Sequence, residues 1–157
     1  MSDKAALDRI DYEILDALQN DARLSNKELA AQVGLAPSSC LARVRKLKES
    51  DVLRGFHADV DATSLGIGLQ ALTAIRLTQH ARNNFATFLE HVTSLEEIID
   101  VFQVAGADDY LLHVAVRDAN HLRDFVLEKL TTRPEVAHLN TSLIFRHMRS
   151  PKLPHYP

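Results

Sequence analysis

The sequence predicts an α+β chain in two parts, and two observations carry that prediction. Apolar residues recur at helical spacing through residues 7–50, with capping and turn residues between them. From residue 69 onward the rhythm changes to short apolar runs separated by two helical stretches.

In the first part, Leu7, Ile10, Ile14, Leu15 and Leu18 form one helical stripe. Ser25 can cap a second helix, and Glu28 can reach back to complete a capping box. Leu29, Ala30 and Val33 give that helix its apolar side, and Gly34 stands where a helix ends in a left-handed residue. Pro37 suits the first turn of a third helix, since its missing N–H would be unpaired there anyway. Over residues 38–50, Leu41, Val44 and Leu47, bordered by the stem of Lys48, are expected to line the buried side. The opposite side carries Ser38, Ser39, Ala42, Arg45 and Lys46, with Arg43 on its flank.

Two short helices on a tight turn predict a helix-turn-helix in a three-helix, winged-helix-like domain, its last helix shaped for a DNA major groove. A charged helix face alone is usually a solvated face. The capping box, glycine turn and basic face in succession are what point to double-stranded DNA. Arg45 and Lys46, with Ser38 and Ser39, are expected to read bases or fix register, and Arg43 to take a phosphate or base edge. Residues 52–60 read as a short extended linker strand broken by Gly55, from which Arg54 and His57 can reach phosphate.

Composition fits a basic face on an acidic body. The net charge is −3, yet residues 36–57 hold Arg43, Arg45, Lys46, Lys48 and Arg54 against only Glu49 and Asp51. DNA binding should therefore weaken with salt. Apolar residues make up 46% of the 157 residues, enough for a real core in one or two domains. The single cysteine, Cys40, excludes an internal disulfide and a cysteine-based metal site, and it is expected to be a buried thiol. No signal peptide or membrane-length apolar run is seen, so the expected location is cytoplasmic, with no membrane partner.

In the second part, residues 69–77 read as a strand, 84–92 as a helix, 98–104 as a strand, 105–109 as a turn and 110–116 as a strand. Residues 119–130 then read as a helix capped by Asp118, and 136–145 as a last strand. This βαββαβ order is the ferredoxin-like arrangement, an antiparallel sheet with both helices on one face. The uncovered face must be hidden, which predicts a homodimer. The boundary is placed at 61/62. Residues 1–61 form the helix-turn-helix domain with its linker strand, and 62–157 the ligand-sensing and oligomerisation domain. The proline-rich tail from Ser150 is expected to be extended.

The combination resembles the Lrp/AsnC family of feast/famine transcriptional regulators over essentially the whole chain. The matching stretches are LDRIDYEILDALQNDARLS, ELAAQVGL, SSCLARVRKLKESDVLRGFHADVD, VAGADDYLL and VAHLNTSLIF. The resemblance implies a DNA-binding domain joined to an effector-sensing domain. It also implies dimers that often assemble further, and small molecules, commonly amino acids, bound between sensing domains. By the same resemblance Arg43 falls on the recognition-helix arginine. Gly106, Asp109 and Tyr110 fall on a Gly-x-x-Asp-Tyr turn, and Thr141 on the polar position of the last strand. An amino-acid effector needs backbone donors for its carboxylate, which a glycine-opened turn can bring close. It also needs an acceptor for its ammonium, which Asp108 or Asp109 can supply, while Thr141 and Ser142 offer hydroxyls. Taken alone, Gly-Ala-Asp-Asp is an ordinary turn. Asp51 stands where the family usually has glycine, and Leu139 where threonine is common.

No catalytic constellation is visible. The histidines at 57, 80, 91, 113, 121, 138, 147 and 155 are scattered, and none makes the i, i+4 pair of a zinc protease. No cofactor and no metal are expected, only an amino-acid-like effector. A sirohaem-decarboxylase-like enzyme of similar fold, or a stand-alone metabolite-sensing module, is the alternative. The basic helix argues against both.

Overall fold

The computed structural model describes residues 6–78, 85–148, 150 and 152–156. The chain divides into two compact units, Met1–Asp59 with Met148–Pro157, and Val60–His147.

The first unit is built on helices α1 (Arg9–Asn20), α2 (Asn26–Gln32) and α3 (Pro37–Glu49). Both α1 and α2 begin in reciprocal capping boxes, Asp8 with Asp11 and Ser25 with Glu28. In the second, the Ser25 Oγ accepts from the Glu28 N–H at 3.3 Å, and Glu28 Oε2 accepts from the Ser25 N–H at 2.8 Å. Gly34 ends α2 at φ 67°, and the Leu35 N–H returns to the Ala30 carbonyl at 2.9 Å. This six-to-one bond closes the helix and requires the left-handed residue. Pro37 opens α3 without a side-chain cap, and Asn26 Nδ2 donates to the Pro37 carbonyl at 2.8 Å. Ile14, Leu18, Leu29, Ala30, Val33, Cys40 and Leu47 form the core of the unit.

Three expectations change here. The buried side of α3 is Cys40, half-buried Val44 and Leu47, whereas Leu41 is 40% exposed. The stripe at i, i+4, i+7 runs from Cys40, and Leu41 lies about 100° round from it. Lys48 is exposed and carries its ammonium 4.8 Å from the centre of the Phe56 ring. Second, the linker strand is not formed as a strand. The N–H groups of Val52 and Leu53 are taken by the Leu47 carbonyl at the helix end, and residues 54–60 are exposed and join no ladder among the described residues. Third, the tail belongs to the first unit instead of the sheet unit. The His155 ring stacks on Tyr12 at 4.6 Å, the Leu153 N–H donates to Gln19 Oε1 at 2.8 Å, and Lys152 lies 3.8 Å from Asp16.

The second unit is a four-stranded antiparallel sheet of β1 (Leu69–Leu77), β2 (Ile98–Gln103), β3 (Tyr110–Val116) and β4 (Val136–Leu143), in the order β2-β3-β1-β4. Helices α4 (Phe85–Thr93) and α5 (Ala119–Phe125), the latter continued by a π-helical turn over Val126–Leu130, supply Phe88, Val92, Leu122, Phe125 and Leu130 to the core. Asp118 caps α5 through the His121 N–H, as expected. Asn84 and His80, which the sequence places at or before α4, lie outside the described residues. The last strand stops at Leu143, short of the expected Phe145, whose side chain is 96% exposed.

Strand alternation sorts the side chains into two faces. Ala71, Thr73 and Ile75 share the core face with Leu112, Val114 and Leu139. Gln70, Leu72, Ala74 and Arg76 share the other face with Leu111, His113, Phe102 and Ser142. Leu72 and Phe102 are exposed on it. His113 is buried on that face, its Nε2 2.9 Å from Gln70 Oε1, its Nδ1 3.3 Å from Asp100 Oδ2 and its ring edge-on to His147. Among the described residues no helix is long and apolar enough to cross a membrane. No group of three potential ligand side chains is placed to hold a metal ion among them either.

Candidate nucleic-acid interface and effector turn

The outer face of α3 is built by default. Once Cys40, Val44 and Leu47 turn inward, Ser38, Ser39, Ala42, Arg45 and Lys46 are left in solvent, and all five are exposed. Arg54 is exposed beyond the helix end. Ser38 and Ser39 lie in the first turn, where helix N–H groups have no intrahelical partner and can meet an anion. Arg45 and Lys46 follow two turns on, with the hydrogen-bonding reach that guanine or phosphate oxygens require. Burial raises the pKa of the Cys40 thiol, which keeps it protonated on the inner side.

Arg43 departs from expectation. Its Nη1 donates to Asp8 Oδ2 at 2.6 Å and to Asp11 Oδ1 at 2.8 Å. Asp11 is buried, and the Arg43 side chain is about two-thirds covered. Asp8 is held below the ordinary carboxylate range, first by the Asp11 N–H and then by Arg43, while Asp8 and then Asp11 raise the guanidinium in turn. Arg43 therefore ties α3 to α1 and does not stand free for DNA. The capping box at Asp8 and Asp11 was the available sequence signal, because two carboxylates three residues apart at the start of α1 attract a cation from a packed neighbour.

The other expected site lies at the turn between β2 and β3. Gly106 adopts φ 155°, and a Cβ added there would meet nothing within 4 Å. The turn is laced to β1. The Asp109 N–H donates to the Ile75 carbonyl at 2.8 Å, and Asp109 Oδ2 accepts from the Leu77 N–H at 2.8 Å. Arg76 donates through Nε to the Ala107 carbonyl at 2.7 Å, and its Nη2 lies 3.7 Å from Asp108 Oδ1. Sequence reading missed Arg76. A lone arginine in the apolar run LQALTAIRL was the signal.

The remaining expected residues do not join this turn. Tyr110 is buried between Phe85 and Phe88, ring centres 5.9 and 5.2 Å away. Its hydroxyl has no hydrogen-bond partner among the described residues, and burial, then the Asp109 charge, raises its pKa. Thr141 shares the core face and lies 3.1 Å from Thr73, oxygen to oxygen. Ser142 is the next residue and faces the opposite way. The six residues expected to bind effector thus fall on three surfaces. Gly106, Asp108 and Asp109 sit at the turn, Tyr110 and Thr141 in the core layer, and Ser142 on the uncovered face. Leu139, where threonine was noted as common, packs against the core.

Comparison with known proteins agrees with both units. Residues 7–48 match the AsnC-type helix-turn-helix domain, and residues 70–153 match the Lrp/AsnC ligand binding domain. The chain is 48% identical over 143 residues to the HTH-type transcriptional regulator AldR of Mycolicibacterium smegmatis, covering 91% of this chain and 84% of that one. The crystal structure of MtbAldR superposes with a TM-score of 0.79 at 41% identity, covering 92% of this chain and 96% of the other. A transcriptional regulator of Neisseria meningitidis, solved as its L-Met complex, gives a TM-score of 0.84 at 31% identity over 92% of this chain and 94% of its own. The chain belongs to the Lrp/AsnC family of helix-turn-helix transcriptional regulators.

Proposed function

We propose that a dimer of this protein binds a near-palindromic operator, placing two copies of α3 in successive major grooves about 34–36 Å or a multiple apart. The observation that carries this reading is the outer face of α3. Ser38, Ser39, Arg45 and Lys46 are exposed there while the buried side is closed by Cys40 and Leu47. Arg45 reads a base edge, Lys46 and Arg54 hold phosphate, and the two serines fix register. The uncovered sheet face, with Leu72, Phe102 and Leu111, supports a second copy as its cover.

An amino-acid-like effector is the proposed ligand, supported by the glycine-opened turn at Gly106 and by the L-Met complex of the Neisseria relative. The open approach past Gly106 favours the turn backbone and the Asp108 carboxylate as its contacts. Asp109 holds the turn to β1. Occupancy between subunits would bias assembly and through it DNA affinity.

The test is a gel shift on the protein's own upstream region, at two salt concentrations, with and without a panel of amino acids. The reading predicts specific, salt-weakened binding that one amino acid alters. Absence of specific binding would contradict the DNA reading, and indifference to every amino acid would contradict the effector reading.

A further inference from the structure

Leu41 stands on the outer side of α3, and none of the contacts proposed above uses it. At about 100° per residue, Ser38, Leu41, Ala42 and Arg45 (spacing i, i+3, i+4, i+7) share one strip of the helix. All four are exposed, Leu41 by 40%. The inner side is closed by Cys40 and Leu47 with half-buried Val44, so Leu41 is not spent on the core.

A single exposed leucine is ordinary in a folded protein. The place of this one is what gives it meaning. It lies between Ser38 and Arg45 in the N-terminal half of the helix, the part whose side chains meet base edges when such a helix enters a groove. From Pro37 to Lys48 the helix carries no acidic residue that would repel phosphate. An isobutyl group neither donates nor accepts a hydrogen bond, so it recognises only an apolar group. The apolar group that a base pair presents in the major groove is the C5-methyl of thymine.

We propose that Leu41 is a specificity-determining residue that packs against a thymine C5-methyl in each half-site. The proposal rests on the reading of α3 as the groove-entering helix. Cytosine at that position would offer no methyl and would place its amino group against the leucine without a partner.

The test uses the full-length protein and an operator that it selects from random duplexes. Each thymine is replaced in turn by deoxyuridine, which deletes the methyl and leaves base pairing and the O4 acceptor intact. One replacement per half-site is expected to weaken the wild type about fourfold, the worth of one buried methyl-sized group. The Leu41→Ala protein, checked for native circular dichroism and melting, should bind the thymine and deoxyuridine duplexes alike. Its salt dependence should be unchanged, because no phosphate contact is lost. An Arg45→Ala protein run in parallel separates the two ways of failing. If Arg45→Ala relaxes sequence preference and no deoxyuridine effect depends on Leu41, the leucine assignment alone is overturned. If Arg45→Ala also keeps full preference, α3 is not the reader and the assignment falls with it.

Discussion

The outer face of α3 and the turn between β2 and β3 are both short polar stretches beside an apolar core, yet the fold treats them in opposite ways. Past its first turn α3 satisfies its own backbone, so Ser38, Ser39, Arg45 and Lys46 are left over, exposed and available. At the turn Asp109 is spent on the neighbouring strand, accepting from the Leu77 N–H of β1, and Arg76 of that strand is spent on the turn, donating to the Ala107 carbonyl. The difference teaches which polar residues a fold leaves for partners. A regular helix frees its outer side chains, while a turn tends to consume its own. Arg43 marks the border between the two cases, since it sits on the helix but is claimed by Asp8 and Asp11.

The largest expected effect falls on the free side of this comparison. Arg45→Ala should cost about 1–3 kcal/mol of discrimination at one base pair and relax specificity there. Lys46→Ala should instead weaken all sequences alike and lower the salt slope by about 1, measured by titration at several salt concentrations. On the consumed side, Asp109→Ala leaves the N–H of buried Leu77 without its acceptor. A loss of about 1–3 kcal/mol in urea unfolding is expected, whether or not effector binding also changes. An unchanged midpoint would show that the turn is not held this way, and would return Asp109 to the ligand.

Arg43→Met should lower the melting temperature and leave the intrinsic base preference of the folded protein in place. The effect depends on pH with a definite sign. Asp8 has a lowered pKa in the folded state, caused first by the Asp11 N–H and then by Arg43. Its contribution is therefore present above the unfolded carboxylate value and is lost as pH falls through the folded one. The gap between wild type and variant should close in acid, and a gap that widened there would contradict the tether. The smallest effect is expected at Asp51, which ends α3 in the left-handed region at φ 58°. Its N–H reaches the Lys48 carbonyl and that of Val52 reaches Leu47, both at 3.0 Å, which is the cap geometry that glycine adopts without strain. Asp51→Gly should stabilise the first unit by about 0.5–1 kcal/mol, read from the same unfolding curves.

Much of this architecture was legible in the sequence because local chemistry and tertiary packing agree. Ser25 and Glu28 cap α2, Gly34 ends it, and Asp118 caps α5 where spacing placed them. The βαββαβ order followed from period alone. Legibility failed where a residue's partner lies far along the chain. Spacing cannot tell that Arg43 meets Asp8 and Asp11, that Thr141 pairs with Thr73, or that the tail returns to Tyr12 and Gln19. Leu41 was misplaced for a subtler reason. Cysteine and leucine are both apolar, and only the packing shows that the stripe starts one residue earlier, at Cys40. The candidate effector residues scattered because adjacent strand positions point to opposite faces, which separates Thr141 from Ser142.

The most direct test of the central claim is the ratio of affinities for the selected operator and a scrambled duplex, measured for wild type and Arg45→Ala at fixed salt. The account predicts a large ratio for the wild type that falls by about tenfold or more in the variant, with little change in binding to the scrambled duplex. An unchanged ratio would contradict it and would place sequence reading somewhere other than the outer face of α3.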